Sequence, residues 1–117
     1  MPLKVLMENV TTLANIPANK ILYQAPCRCL ENVGFAKCWI RPRVSWVSGS
    51  AELYIQTAAS LEGPWDTRLT ITSVGTGDYL FEWDSDAEYP LDRYVRWSAS
   101  SSSTWGICFA IRAEFEN

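Results

Sequence analysis

The side chains in this chain that could do chemistry are few, and histidine is not among them. Without histidine the sequence lacks the most common general base and metal ligand, and with it the Ser-His-Asp and Cys-His nucleophile arrangements. The glycines of Gly75-Thr76-Gly77 lack the lysine and the following helix that a phosphate-binding loop requires. The sequence therefore predicts a protein that is not an enzyme and that needs no cofactor.

Carboxylates are concentrated in one short segment, where Asp84, Asp86 and Glu88 occupy alternate positions and Asp78 lies upstream. Calcium takes several oxygen ligands that converge from a flexible loop, but no glycine or distal glutamate follows here at the offsets of an EF-hand. A solvated acidic loop is therefore the preferred interpretation. A calcium site, or pairing with arginines of a neighbouring subunit, is the alternative.

The four cysteines are Cys27, Cys29, Cys38 and Cys108. The first two form C-x-C, which is not the C-x₂-C knuckle of a structural zinc site, and Cys38 and Cys108 fall on different parities of predicted strands. A chain made in a reducing compartment keeps its cysteines as thiols. We therefore expect reduced, mostly buried cysteines and no metal, with oxidation of Cys27 or Cys29 as the alternative if the protein leaves the cell.

Six tryptophans suggest a carbohydrate-binding module, because sugar rings stack on flat aromatic side chains. Trp39 and Tyr54 lie on outward parities, and Trp65 lies in a predicted loop. The alternative places most of the aromatic area in the core, where such side chains are usually found. The tryptophans assigned to the core are Trp46, Trp83, Trp97 and Trp105.

Arginines lie beside aromatic residues on several predicted strands, a composition that is enriched at protein–protein interfaces. The alternative is a strand face whose arginines only keep the protein soluble. We predict an interface. Its residues are Trp39, Arg41, Arg43, Tyr54, Trp65, Arg93, Tyr94 and Arg96.

The elements that must position these side chains are strands, because apolar residues recur with a period of two. In 106–115 every second residue from Ile107 to Phe115 is apolar, and 92–98 alternates in the same way. These two runs predict an antiparallel hairpin with an exposed tip at 100–103. A further strand is predicted over 35–47, where Pro42 indicates a bend, a bulge or a sheet edge.

The chain has 117 residues, of which 48% are hydrophobic, and a net charge of -3. Seven to nine short strands with frequent turn signals predict an all-β fold: a single antiparallel β-sandwich, Greek-key or jelly-roll-like, over 1–117. An irregular N-terminal arm is expected over 1–26. The acidic charge disfavours nucleic acid as a partner, and no run of about 20 apolar residues predicts a membrane helix. The first residues do not read as a secretory signal, which predicts synthesis in a cytoplasm.

Three segments, 53–58, 62–66 and 89–97, resemble small β-sandwich virion proteins of tailed phages. The shared layout is an extended strand, a Trp-Asp loop and an R-Y-V-R-W strand. The resemblance implies a non-enzymatic structural protein, made in the host cytoplasm and located in the virion, of the capsid decoration or minor head or tail type. It would self-assemble as a homo-oligomer or dock on other virion proteins such as a major capsid protein, with the arm on a neighbour. A carbohydrate-binding module for surface attachment is the alternative function.

Overall fold

A computed structural model describes residues 3–7, 10–25, 29–31, 37–72, 74–84 and 91–116. These residues contain strands, turns and bends, and no helix among them is long and apolar enough to cross a membrane. The strands are β1 Leu3–Met7, β2 Thr11–Ile16, β3 Leu22–Tyr23, β4 Leu30–Glu31, β5 Lys37–Ser48, β6 Glu52–Ala58, β7 Asp66–Ile71, β8 Gly77–Asp78, β9 Phe81–Asp84, β10 Tyr94–Ser100 and β11 Trp105–Glu116.

The strands form two antiparallel sheets. Sheet I has β1 and β2 along one edge of β11, then β5, then β8 and β9. Sheet II has β3 and β4 along one edge of β10, then β6 and β7. In each case two short strands share one neighbour, so β1/β2, β3/β4 and β8/β9 each make one interrupted strand. The prediction of an all-β antiparallel sandwich is confirmed.

The order of connections is that of a jelly roll. Once the interrupted strands are merged, consecutive strands alternate between sheet I and sheet II, except for β6 and β7, which form a hairpin within sheet II. Two interlocked Greek keys in a double sheet have this pattern. It decides between the two connection types that the sequence left open.

The predicted hairpin between 92–98 and 106–115 is wrong. Strand β10 lies in sheet II and β11 in sheet I, so their apolar faces oppose each other across the core instead of lying side by side. Trp97 meets Phe109 there edge-to-face, with ring centroids 5.1 Å apart. The connection between the strands is exposed at Ser102 and Ser103, as predicted, but it is anchored at the buried Ser101, whose hydroxyl donates to the Ser50 carbonyl at 2.9 Å.

The core follows the predicted alternation closely. Buried residues on β11 include Ile107, Phe109 and Phe115, and β6 contributes Leu53 and Ile55 from the other sheet. Trp97 and Trp105 are buried as expected, and Trp83 packs against the core while partly exposed. Each buried aromatic or branched aliphatic side chain contributes on the order of 1.5–3 kcal/mol, so this shared inner layer holds the sheets together.

Strand β5 departs from regular pairing three residues after Pro42, at Ser45. Cys108 pairs with Trp46 and Phe109 with Val44, so Ser45 is the extra residue of a bulge. Pro42 itself is buried and paired with Ile111. Its carbonyl accepts from the Tyr79 N–H at 2.9 Å, where the edge is interrupted between β8 and β9. Because the N and O of one strand residue face the same neighbour, the missing N–H of Pro42 falls at this interruption.

The N-terminal segment pairs with its own chain where the structure describes it. Residues 3–7 pair with 112–116 of β11, and residues 11–16 pair with the 105–109 end of the same strand. Residues 1, 2, 8 and 9 lie outside the described residues. These two stretches are therefore regular strands of sheet I and not the irregular arm that was predicted over 1–26. The expectation that an arm reaches onto a neighbouring subunit stays a prediction.

Candidate functional site

The eight residues predicted to form an interface lie on opposite sides of the sandwich. Face I, the outer surface of sheet I, carries Trp39, Arg41 and Arg43 on β5. Face II, the outer surface of sheet II with the loop that precedes β7, carries the others. These are Tyr54, Trp65, Arg93, Tyr94 and Arg96. The alternation predicted that each set points outward but not which set shares a face.

Arg96 at the centre of face II is enclosed by aromatic rings. Its guanidinium carbon lies 4.3 Å from the centroid of the Tyr23 ring and 4.1 Å from that of Trp65. Its Nε donates to Oε1 of Gln56, the residue opposite on β6, at 2.8 Å. Burial lowers the pKa of the Arg96 guanidinium. One face of the Tyr23 ring and one face of the Trp65 ring are therefore covered by the Arg96 guanidinium.

The remaining polar groups of face II are also paired with one another. Arg93 donates from Nε to Oε1 of Glu31 at 2.9 Å, and this hydrogen bond raises the pKa of Arg93. The Tyr54 hydroxyl donates to the Glu52 carboxylate, which raises the pKa of Tyr54, and it lies 3.2 Å from the Ser100 hydroxyl. Face II thus carries several hydrogen-bonded pairs and cation–π contacts, of which the Arg93–Glu31 pair is 59% and 45% exposed.

Face I is more open. The Trp39 indole N–H donates to Oε2 of Glu82 at 2.7 Å, which fixes that ring beside β9. Arg41 and Arg112 face each other across β5 and β11 and share one oxygen of Glu114, at 3.1 and 3.4 Å from their Nε atoms. The side chains of both arginines are nearly half exposed, at 45% and 47%. Two guanidinium groups on one carboxylate leave a positive excess.

Arg43 adds a third guanidinium beside a groove. Its contact with Asp78 is 3.5 Å long, and the two side chains are 80% and 78% exposed. The groove, of about 680 Å³, runs over Ala110 and Ser45, whose small side chains lie between the longer arginines. Its lining comprises Val10, Arg41, Pro42, Arg43, Ser45, Asp78, Tyr79, Leu80, Phe109, Ala110 and Arg112. We call it the arginine groove.

Trp46 is the main residue of face I that sequence reasoning misplaced. It was predicted in the core, but the bulge at Ser45 switches the parity of β5, so Trp46 points outward and is 43% exposed. Its ring lies against Gly106 on β11, where an added Cβ would come within 2.7 Å of the Trp46 ring and 2.8 Å of the Leu13 carbonyl. The one available signal was the glycine in an otherwise regular β11, since strand glycines often mark close approach.

Tyr23 and Arg112 also belong to these faces and were not singled out from sequence. Tyr23 lies on β3, which is only two residues long, so no alternation could reveal its direction. Arg112 was placed correctly on the polar parity of β11 but had no aromatic neighbour in sequence. Tertiary pairing with β5 is what brings it beside Arg41.

The three cysteines that the structure describes, Cys29, Cys38 and Cys108, are free thiols, and of these only Cys38 is buried. Cys38 is buried, and burial raises the pKa of its thiol to about 12. Cys108 points to face I, where hydrogen bonding with Ser45 and then Thr12 lowers the pKa of its thiol. Cys29 is partly exposed on its short segment, and Cys27 lies outside the described residues. Within the described ranges no three His, Cys, Asp or Glu side chains are grouped as metal ligands.

The acidic segment falls largely outside the described residues. Asp84 ends β9 and pairs with Lys37, whereas Asp86 and Glu88 lie in 85–90, of which the structure describes nothing. Asp78 is on face I beside Arg43. The calcium alternative therefore stays a prediction.

Comparison with known proteins adds a structural likeness. No protein-family profile matches the chain, and no curated protein matches it. A chain from the structure "Bacillus endospore appendages form a novel family of disulfide-linked pili" is similar over 99% of this chain and 91% of its own length. The TM-score is 0.49 and the sequence identity 8%. A likeness at this level says nothing about function.

Proposed function

We propose that this protein is a non-enzymatic structural subunit that associates with copies of itself or docks on other subunits through face I. The observation that carries the proposal is the arginine groove beside the exposed Trp46. Tryptophan and arginine are the residues most enriched among those that dominate binding energy at protein interfaces. The three arginine side chains are 45%, 47% and 80% exposed, and the two 12-residue strands β5 and β11 hold them in place.

Face I supports association better than face II does. On face II the central Arg96 is already held by two aromatic rings and by Gln56, so a partner would have to break these contacts to bind this arginine. On face I three arginines share two carboxylates, and apolar side chains at Val10 and Leu80 are more than half exposed. Sedimentation velocity over a range of protein concentrations tests the proposal. Trp46→Ala should weaken association at least tenfold, with Trp65→Ala on face II as the matched control.

We further propose that the subunit belongs to a phage-like virion, as a capsid decoration or minor head or tail protein. The support is the resemblance of 53–58, 62–66 and 89–97 to such proteins, together with a jelly-roll order of strands, which occurs in viral capsid proteins and in lectins alike. Quantitative mass spectrometry of purified particles tests it. A simple ratio to the main shell protein would support decoration, and a few to a dozen copies would support a head–tail position. Absence from particles would contradict a virion role.

Carbohydrate binding is a second candidate, and Trp46 is the observation in its favour. Its ring lies along the sheet surface over Gly106 and keeps an exposed side, as a sugar-stacking platform requires. The platforms expected from sequence are less suitable, because Arg96 covers one face of Trp65 and the Trp39 indole N–H is bound to Glu82. A glycan array probed with the wild type and with Trp46→Ala tests this. Retention that Trp46→Ala abolishes and Trp65→Ala leaves intact would favour the carbohydrate function.

A further inference from the structure

We infer that face I binds a polysaccharide that carries carboxylate groups, with one sugar ring stacked on Trp46 and the carboxylates of neighbouring sugars held in the arginine groove. The site rests on the carbohydrate candidate described above and adds the class of sugar. Two kinds of binding group, an exposed aromatic ring and a set of exposed guanidinium groups, lie along the same pair of strands, β5 and β11.

The aromatic ring and the arginines follow one another along β5. The residues of β11 that pair with Trp46 and Arg43 are two positions apart, and Arg41 lies two positions beyond Arg43. The three residues are therefore spaced at steps of about 7 Å, which is the rise of two residues in a strand. An extended chain of sugars laid along β5 would meet the Trp46 ring first and the guanidinium groups next.

Charge complementarity makes the ligand acidic. Arg41 and Arg112 both contact Glu114 through Nε, and one carboxylate cannot use all the donors of two guanidinium groups, which have five N–H donors each. The Glu114 side chain is only 16% exposed, so a ligand that enters from solvent meets the guanidinium groups before this carboxylate. The planar fork of a guanidinium matches a carboxylate through two parallel hydrogen bonds. The groove therefore suits the carboxylate of an acidic sugar.

The other groups on face I favour a sugar over an acidic peptide. The Trp46 ring is packed against Gly106 on one side and remains 43% exposed, so it presents an apolar surface on which a sugar ring can stack. Ser45 and Asp78 line the groove beside the arginines. A second carboxylate next to Asp78 would be repelled, whereas a sugar hydroxyl can donate to Asp78 and to the Ser45 oxygen. A polymer in which acidic and neutral sugars alternate fits both kinds of group.

Titration calorimetry of the full chain with hyaluronate, a polysaccharide of alternating acidic and neutral sugars, tests the inference. Arg43→Gln and Arg112→Gln should each weaken binding by about tenfold, because each change removes a charged hydrogen bond to the ligand. Trp46→Ala should weaken binding by about tenfold as well, through the loss of the stacked ring. Raising the salt concentration should weaken binding by the wild type, since contacts between exposed charges are screened.

Matched variants and matched polymers provide the controls. Trp65→Ala and Arg93→Gln on face II should change the affinity for hyaluronate by less than about twofold, and circular dichroism should show that all variants are folded. Dextran is a neutral polysaccharide, and poly-L-glutamate is an acidic polymer without sugar rings. Each should bind at least about tenfold more weakly than hyaluronate, because each can use only one of the two kinds of binding group.

Each contrary result has a distinct meaning. Poly-L-glutamate that binds as tightly as hyaluronate would assign the groove to acidic peptides and overturn the inference. Dextran that binds as tightly as hyaluronate, or binding that the arginine variants leave unchanged, would overturn the acidic ligand and leave the carbohydrate candidate standing. Failure of all three polymers to bind would overturn both. Self-association through face I is measured separately by sedimentation velocity and does not depend on these outcomes.

Discussion

The two outer faces of this sandwich are built from the same kinds of residue and use them differently. On face II, Arg96 lies between two rings and donates to Gln56, so the arginine is part of the fold. On face I, the exposed Arg43 lies 3.5 Å from the Asp78 carboxylate, and Arg41 and Arg112 share the Glu114 carboxylate. Arg96 is therefore held by contacts within sheet II, whereas the arginines of face I remain exposed enough to contact a partner.

The difference comes from strand pairing rather than from composition. Face II is covered at its edge by the short β3, which brings Tyr23 over Arg96, and by the loop that places Trp65 on the other side. Face I has the small residues Ala110 and Ser45 between its arginines, and so keeps a groove. We expect substitution of Arg96 on face II to affect folding and substitution of the arginines on face I to affect association.

The largest expected effect is a difference in alkylation rate between Cys108 on face I and Cys38 in the core. The pKa of Cys38 is about 12, whereas that of Cys108 is lowered below the usual 9.0 of a cysteine. Since the thiolate is the reactive form, Cys108 should be alkylated more than about tenfold faster than Cys38 at equal pH. Iodoacetamide labelling of the folded protein, read by peptide mass spectrometry, measures this ratio. In urea the two rates should converge, and similar rates in the folded state would contradict the assigned burial.

Gly106→Ala should be the most destabilising of the substitutions proposed for either face. The added Cβ would meet the Leu13 carbonyl at 2.8 Å and the Trp46 ring at 2.7 Å, and the backbone contact cannot be relieved by a rotamer change. Overpacking of this kind typically costs about 2 kcal/mol. Urea unfolding measures the loss, and a change in tryptophan fluorescence should report the displaced Trp46. Gly75→Ala, whose nearest neighbour is the Tyr79 hydroxyl at 4.0 Å, should change little.

Arg96→Ala should destabilise the protein by about 1.5 kcal/mol. The change removes two cation–π contacts, each of about 0.5–1 kcal/mol at a partly exposed site, and the hydrogen bond to Gln56. Denaturant unfolding measures it, and Arg96→Lys should recover part of the loss because an ammonium also stacks on rings. A stability equal to that of the wild type would mean that face II is not a locked network.

Sequence alternation predicted the inner face of almost every long strand. Ile107 to Phe115 and Leu53 to Thr57 point inward as expected, because burial on one face imposes a period of two whatever the neighbouring strand is. The same argument explains the failed hairpin. Alternation along a strand indicates which of its sides is buried. It does not indicate whether the next strand lies beside it in the same sheet or opposite it across the core, and β10 and β11 lie opposite each other across the core.

The candidate site on face I was predicted only in part: Arg41 and Arg43 were singled out from sequence, whereas Arg112 and Trp46 were not. All eight proposed interface residues lie on or beside the two outer faces, yet only pairing between distant strands separates Arg41 from Arg96 or joins it to Arg112. The sequence indicated a break in β5 at Pro42, but the bulge falls at Ser45, and that shift carries Trp46 from the predicted core to the surface. A bulge of one residue reverses every later parity, which periodicity alone cannot detect.

The smallest expected effect is also the most direct test of the comparison. Arg43→Ala should change the free energy of unfolding by less than about 0.5 kcal/mol, because an exposed ion pair gains little over the same groups in water. A double-mutant cycle with Asp78→Ala measures their coupling energy, which should be of the same small size and fall further in high salt. A coupling above about 1 kcal/mol would make Arg43 a structural residue like Arg96 and would remove the distinction between the faces.

If the coupling is small while Arg43→Ala still weakens association, the Arg43 guanidinium contributes to partner binding and not to the stability of the fold. Stability and association measured on one variant would then separate the two roles that sequence composition could not.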